Sequence, residues 1–133
     1  MSAPPTVAVI NTSPDTVDIL KDALERAGFV VVFSYTWKIA SGELDLEGFV
    51  RALQPVVLVY DIAPPYEKNW AILQHLRETV LKECRFVLTT PNAAQVGRLV
   101  GRDAHVYEVV GKEDDLGPIV QAVREAAKAR PTR

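Results

Sequence analysis

Hydrophobic positions along the chain follow two periods. Five short runs are mostly apolar and rich in β-branched residues: Thr6–Ile10 (TVAVI), Phe29–Phe33 (FVVVF), Val56–Tyr60 (VVLVY), Arg85–Thr89 (RFVLT) and Val106–Val110 (VYEVV). Runs of this length and type fit strands buried on both faces. Between them, apolar residues recur at helical spacing. Val17, Leu20, Leu24 and Ala27 form one stripe, preceded by Ser13-Pro14-Asp15 and followed by Gly28. Ser13 suits an N-cap, Pro14 the first helical position, and Gly28 the residue past the helix end. A short helix is predicted over Leu44–Leu53, and a longer one over Lys68–Leu81 with Trp70, Leu73, Leu76 and Val80 on its apolar face. Ala93–Val100 reads as a weak helix interrupted by Gly97. Leu116–Lys128 is the last helix, with Leu116, Ile119, Val120, Val123 and Ala127 on one face. Ser34–Glu43 reads as a loop.

Five strands alternating with five helices predict right-handed βαβ units and a parallel α/β sheet covered on both faces. In such sheets, ligands and chemistry sit at the carboxyl ends of the strands. Strand three ends on an acid, Asp61, followed closely by Pro64-Pro65. Asn11 and Thr12 end strand one, Thr89 and Thr90 end strand four, and Lys112 lies just past strand five. These polar residues are predicted to converge on one edge.

Composition narrows the field. With 133 residues, 48% hydrophobic and 24% charged, the chain suits a single domain over 1–133 with its core at about 6–129. A net charge of −2 gives no nucleic-acid footprint. Cys84 is the only cysteine, which excludes an internal disulfide and a thiolate metal site and fits a reducing compartment. MSAPPTVAVI lacks a signal-peptide layout, and no apolar run approaches the roughly 20 residues of a membrane span. A cytoplasmic location, without membrane or nucleic acid as partner, is the expectation. The turn after strand one, NTSPD, has no glycine, which argues against a dinucleotide or P-loop site. No G-x-S-x-G elbow and no H-E-x-x-H occurs.

On these residues the chain resembles a receiver domain of bacterial two-component response regulators over nearly its whole length. The resemblance implies a flavodoxin-like (βα)5 three-layer sandwich with strand order 2-1-3-4-5. It implies that Asp61 holds the phosphoacceptor position, with Pro65 as the proline four residues on. Thr89 takes the hydroxyl place, with Thr90 the alternative should strand four run one residue longer, and Lys112 takes the lysine place. KEDDLGPI, Lys112 to Ile119, resembles the family's K-P-x-D-L-x-x-L.

The departures carry the functional expectation. Where the family has an acidic pair, this chain has Asn11-Thr12. Glu113 replaces the proline after the lysine, Val109 the usual aromatic, and Asn69 a usual glycine, a position Asn can fill in left-handed backbone. Phosphoryl transfer to an aspartate builds charge on the equatorial oxygens and needs Mg²⁺, a lysine and oriented donors. Mg²⁺ is held through carboxylates, water and phosphate. With Asp61 the one surviving acid, balanced by Lys112, no metal site is expected, Asp61 being the sole candidate ligand, and no cofactor is expected beyond weak Mg²⁺. Lys112-Glu113 is expected trans, because a cis bond without proline costs about 2.5–4 kcal/mol.

The predicted function is thus a stand-alone, atypical receiver, not an enzyme. It would bind a protein such as a histidine kinase, a phosphotransfer protein or an output protein, or pair with itself through the 93–128 face. A working phospho-receiver using Asp61 is the alternative, and a small-ligand binder on the same scaffold the second. Plainer readings stand beside these. Asp61 ends a strand and Thr89-Thr90 reflect strand propensity. Asp15 serves the helix dipole and Asp115 caps the last helix. Tyr35, Trp37, Tyr66 and Trp70 are core fillers, Tyr35 and Trp37 being also candidates for a contact surface. His75 lies on an exposed helix side, His105 in a loop, and Cys84 is a buried or half-buried thiol.

Overall fold

A computed structural model describes residues 4–79, 82, 84–102, 106–111 and 116–128. Its strands are β1 (Thr6–Asn11), β2 (Val30–Tyr35), β3 (Val57–Asp61), β4 (Arg85–Thr90) and β5 (Val106–Gly111). They pair in parallel as one sheet of order β2-β1-β3-β4-β5. The helices are α1 (Pro14–Arg26), α2 (Thr36–Ala40), α3 (Leu46–Leu53), α4 (Tyr66–Thr79), α5 (Ala93–Val100) and α6 (Gly117–Lys128). This is the flavodoxin-like three-layer arrangement that the resemblance implies, on the covered parallel sheet that the alternating runs predict.

Alternation along the strands builds two cores. Ala8, Ile10, Leu58, Tyr60, Phe86 and Leu88 face α3, α4 and α5, meeting Val50, Trp70, Leu73 and Val96. Val7, Val9, Val57, Val59 and Val87 face α1 and α6, meeting Val17, Leu20, Leu24, Ile119 and Val123. Because β1, β3 and β4 are covered on both sides, their sequences read as unbroken apolar runs rather than alternating ones. Trp70 is core, as expected, and Cys84 is buried.

The cap signals act as predicted. Ser13 Oγ accepts from Thr16 N at 3.3 Å, Pro14 opens the helix, and Gly28 follows it at φ 98°.

Several expectations need correction. The predicted loop over Ser34–Glu43 is half ordered: Ser34 and Tyr35 complete β2 opposite Ile10 and Asn11, and α2 follows directly. Five residues are too short for a periodic signature, and α2 has no side-chain N-cap to announce it. Tyr35 and Trp37 are therefore not loop residues. Their rings stack, with centroids 5.5 Å apart and planes within 5°, and Lys38 Nζ lies 5.7 Å from the Tyr35 ring and 5.6 Å from the Trp37 ring. The helix predicted from Lys68 begins two residues earlier, at Tyr66. Gly97 does not interrupt α5, which runs unbroken with an Asn92 side-chain cap on Gln95 N. Asn69 is not left-handed. It sits in the first turns of α4 and its Nδ2 donates to Ala63 O at 2.7 Å, tying the loop after Asp61 to the helix. His75 is exposed, with Nε2 3.4 Å from Glu47 Oε1. Val80, His105, Lys112, Glu113, Asp114 and Asp115 lie outside the described residues.

Candidate functional site

The carboxyl edge gathers Asp61, Asn11, Thr12, Thr89 and Thr90. Asp61 ends β3 with only 2% of its surface exposed. Its register partner on β4 is Thr89. The pairing fixes the chemistry: Thr89 Oγ1 donates to Asp61 Oδ1 at 3.0 Å in a buried contact. Thr89 O accepts from Ile62 N at 2.7 Å, which holds the two strand ends in line.

The second carboxylate oxygen is met from β1's end. Thr12 Oγ1 donates to Asp61 Oδ2 at 3.2 Å, and Thr12 Oγ1 lies 2.9 Å from Thr36 Oγ1. A hydroxyl carries one proton. Since that of Thr12 goes to Asp61, Thr36 is the donor to Thr12. The result is a relay from Thr36 through Thr12 to the carboxylate, spanning β1, β3 and the start of α2. Sequence reasoning misses Thr36. Its only signal there is a hydroxyl at the end of an edge strand, which is too common to single out.

Two of the predicted residues turn away. Asn11 is buried, but its Oδ1 accepts from Ser13 N at 3.0 Å, closing the turn into α1. β4 does run one residue longer than predicted, through Thr90, and the threonine that contacts Asp61 is Thr89. Thr90 Oγ1 accepts from Asn92 N at 3.3 Å and shapes the entry to α5. Strand alternation explains Thr90, since neighbours on a strand point to opposite faces and Thr89 faces Asp61; Asn11 shares the Asp61 face and is drawn off by its bond to Ser13 N. Lys112 lies outside the described residues.

A cleft of about 520 Å³ opens beside Asp61, with Thr36, Trp37, Tyr60, Pro65 and Lys68 among its walls. Burial pushes the Tyr60 phenol up to about 12, with the neighbouring Asp61 charge adding to the effect. Among the described residues, no group of three or more His, Cys, Asp or Glu side chains is placed to hold a metal ion. Among the described residues, the hydroxyls of Thr12 and Thr89 donate to Asp61, and both are neutral. With Asp61 they make one carboxylate among neutral oxygens, whereas Mg²⁺ is held in octahedral array through one or two carboxylates, phosphate and water.

Thr89 can be tested directly. Thr89→Val keeps the shape and removes the donor from a buried carboxylate oxygen. A loss of about 1–3 kcal/mol in urea unfolding is expected, and Thr89→Ser should recover most of it. Equal stability of Thr89→Val and the parent would mean that this hydrogen bond contributes nothing.

No family model matches the chain, and no curated protein matches its sequence. Solved structures do match its fold. A response regulator from Thermotoga maritima aligns with a TM-score of 0.73 at 18% identity, covering 94% of this chain and 98% of its own. A sensor protein from Polaromonas sp. JS666 aligns with a TM-score of 0.71 at 17% identity, covering 94% and 97%. The response regulator TrrA of Thermotoga maritima, solved in complex with Mg²⁺-BeF, aligns with a TM-score of 0.67 at 18% identity, covering 92% and 98%. The fold is that of response regulator receiver domains.

Proposed function

We propose that the protein is a receiver-like signalling module of a two-component or phosphorelay system that acts by binding another protein, with Mg²⁺-dependent phosphorylation of Asp61 impaired. One observation carries the reading. Asp61 ends β3 at the carboxyl edge of a receiver fold, and both its oxygens accept hydrogen bonds from neutral hydroxyls, those of Thr89 and Thr12.

The physical consequence is twofold. A carboxylate that attacks phosphorus needs a free lone pair and a nearby cation to neutralise the incoming phosphoryl oxygens. Thr12 and Thr89 each take up one acceptor site of the carboxylate, which lowers its nucleophilicity. Asn11 and Thr12 bring no negative charge to hold a divalent cation. The site therefore favours a settled, hydrogen-bonded aspartate over a reactive one. Lys112 is proposed as the carboxylate's counter-charge. The partner is proposed to be a histidine kinase, a phosphotransfer protein or an output protein, met in the cytoplasm. Among the described residues, no helix is long and apolar enough to cross a membrane.

The test is exposure to Mg²⁺ and acetyl phosphate followed by intact mass. An unchanged mass is expected. A gain of one phosphoryl group that disappears in Asp61→Asn would establish a working phospho-receiver instead. Beryllofluoride with Mg²⁺, followed by heteronuclear NMR, gives the same decision without turnover: amide shifts around Asp61 and Thr89 would favour the working receiver.

A further inference from the structure

The two edges of the sheet are unlike each other. β5 closes one side, carries Glu108, and joins β4 with a register shift at Phe86/Val87. β2 forms the other edge. Its sequence, VVVFSY, holds no charge and no proline, and its pairing with β1 is unbroken over six positions. Edge strands are usually protected by charges, prolines, bulges or a covering element, because their free N–H and C=O groups invite another strand. The sequence and pairing of β2 show none of the first three.

The direction of the groups that face away from β1 follows from one bond. Val30 N donates to Pro5 O, so Val30 points its backbone toward β1. Backbone polar groups alternate sides along a strand, so Val32 and Ser34 do the same. Val31, Phe33 and Tyr35 therefore present N–H and C=O outward. Val30 and Phe33, on opposite faces of this edge, are 46% and 39% exposed, and Trp37 just beyond is 47% exposed. Phe33, Tyr35 and Trp37 form a continuous aromatic row, with Phe33 and Tyr35 centroids 6.1 Å apart.

The 93–128 face contrasts with this edge. Among the described residues, the exposed large hydrophobics are Ile19, Val30, Phe33, Trp37 and Leu53, and none belongs to α5 or α6.

We propose that β2 is a self-association edge, pairing antiparallel with β2 of a second copy across a two-fold axis to make one continuous ten-stranded sheet. The occupant follows from the strand's chemistry. An uncharged strand has nothing to select a charged foreign strand, whereas a two-fold sets its apolar residues against themselves. With Phe33 opposite Phe33 of the second copy, Val31 falls opposite Tyr35, so all three outward residues find partners. The two Phe33 rings meet on the α1 face, where each already packs edge-on against its own Tyr35. A single strand pair buries little area, so the dimer is weak and concentration-dependent.

Sedimentation equilibrium of the full chain from micromolar to millimolar concentration tests this. The mass should rise from 14.7 kDa toward twice that value. Phe33→Lys sets like charges face to face and should shift the midpoint at least tenfold. Phe33→Pro removes only an outward N–H and should act likewise with circular dichroism unchanged. Mild oxidation of Phe33→Cys should yield a disulfide dimer, since opposed Cα atoms at about 5.5 Å suit that bond, and Ile19→Cys should not. The native Cys84 is buried and does not compete. A wild-type chain that stays monomeric throughout overturns the proposal. So does a dimer that survives Phe33→Lys and Phe33→Pro, or one abolished by Ala94→Arg on α5. Should the Lys and Pro variants misfold, failure of Phe33→Cys to cross-link overturns it alone.

Discussion

The double substitution Asn11→Asp, Thr12→Asp is expected to create Mg²⁺ binding at least a hundredfold tighter than that of the natural chain. The reason is electrostatic. The natural edge offers one carboxylate, engaged by Thr12 and Thr89 hydroxyls. Two added acids at the end of β1 would raise the carboxylates at this edge from one to three. At an effective dielectric of about 20, two unit charges 4 Å apart interact with about 4 kcal/mol, and more for a dication. Desolvation removes part of that gain. A hundredfold, about 2.7 kcal/mol, is a conservative remainder. The same variant should be less stable without metal by about 2–4 kcal/mol, because the new charges repel a buried Asp61 and the Thr12 bond is lost. Mg²⁺ should restore the loss. The Asn11 contact to Ser13 N survives, since an aspartate oxygen accepts there equally well. Titration by calorimetry, with thermal melts in Mg²⁺ and in chelator, reads both effects. Equal Mg²⁺ affinity of the natural and double-variant chains would remove the basis for reading the natural site as impaired.

Raising the pH from 9 to 12 is expected to cost several kcal/mol of folding stability, through two buried groups. Burial pushes the Cys84 thiol up from 9.0 to about 12, against a smaller opposing pull from the Leu58 backbone. The Tyr60 phenol rises from 10.0 to about 12 through burial and then the Asp61 charge. Both groups are neutral when protonated, and the folded chain keeps them so. Above pH 9 the unfolded chain releases the thiol proton, and above pH 10 the phenol proton, while the folded chain retains both. The unfolded state then binds fewer protons, and stability falls with pH until the folded groups ionise near 12. A tenfold change in a group's proton affinity between the folded and unfolded chains corresponds to about 1.4 kcal/mol, which puts the combined loss on the order of 3–6 kcal/mol. Urea unfolding against pH should show the decline. In Cys84→Ala it should begin near pH 10 rather than 9 and be shallower, since only the phenol remains. Asp61→Asn should lower the Tyr60 midpoint, measurable by phenolate absorbance. A flat profile up to pH 11 would show that neither group is held neutral by the fold.

β1, β3 and β4 are legible in the sequence because they are covered on both faces, so their sequences are largely unbroken apolar runs. Ser13-Pro14 and Gly28 mark the ends of α1, because backbone geometry at those positions admits few residue types. From the parallel alternation alone, Asp61, Thr89 and Thr12 fall on one edge. The limits are equally physical. Gly97 looks like an interruption because glycine costs about 1 kcal/mol in a helix, a penalty that burial of Val96 and Val100 offsets. The segment after Phe33 looks like a loop because a five-residue helix has too few turns to show a period.

The sequence by itself determined the sheet, its coverage and which edge bears the polar residues, since these follow from periodicity and the handedness of βαβ connections. Only the tertiary structure decided which of those residues touch. Thr12 reaches Asp61 across 49 positions, and Thr36 reaches Thr12 across 24. Thr90 and Asn11 turn instead to their own backbone neighbours. Such choices rest on strand register and side-chain rotamers, which are set by packing among distant segments and leave no local trace in the order of residues.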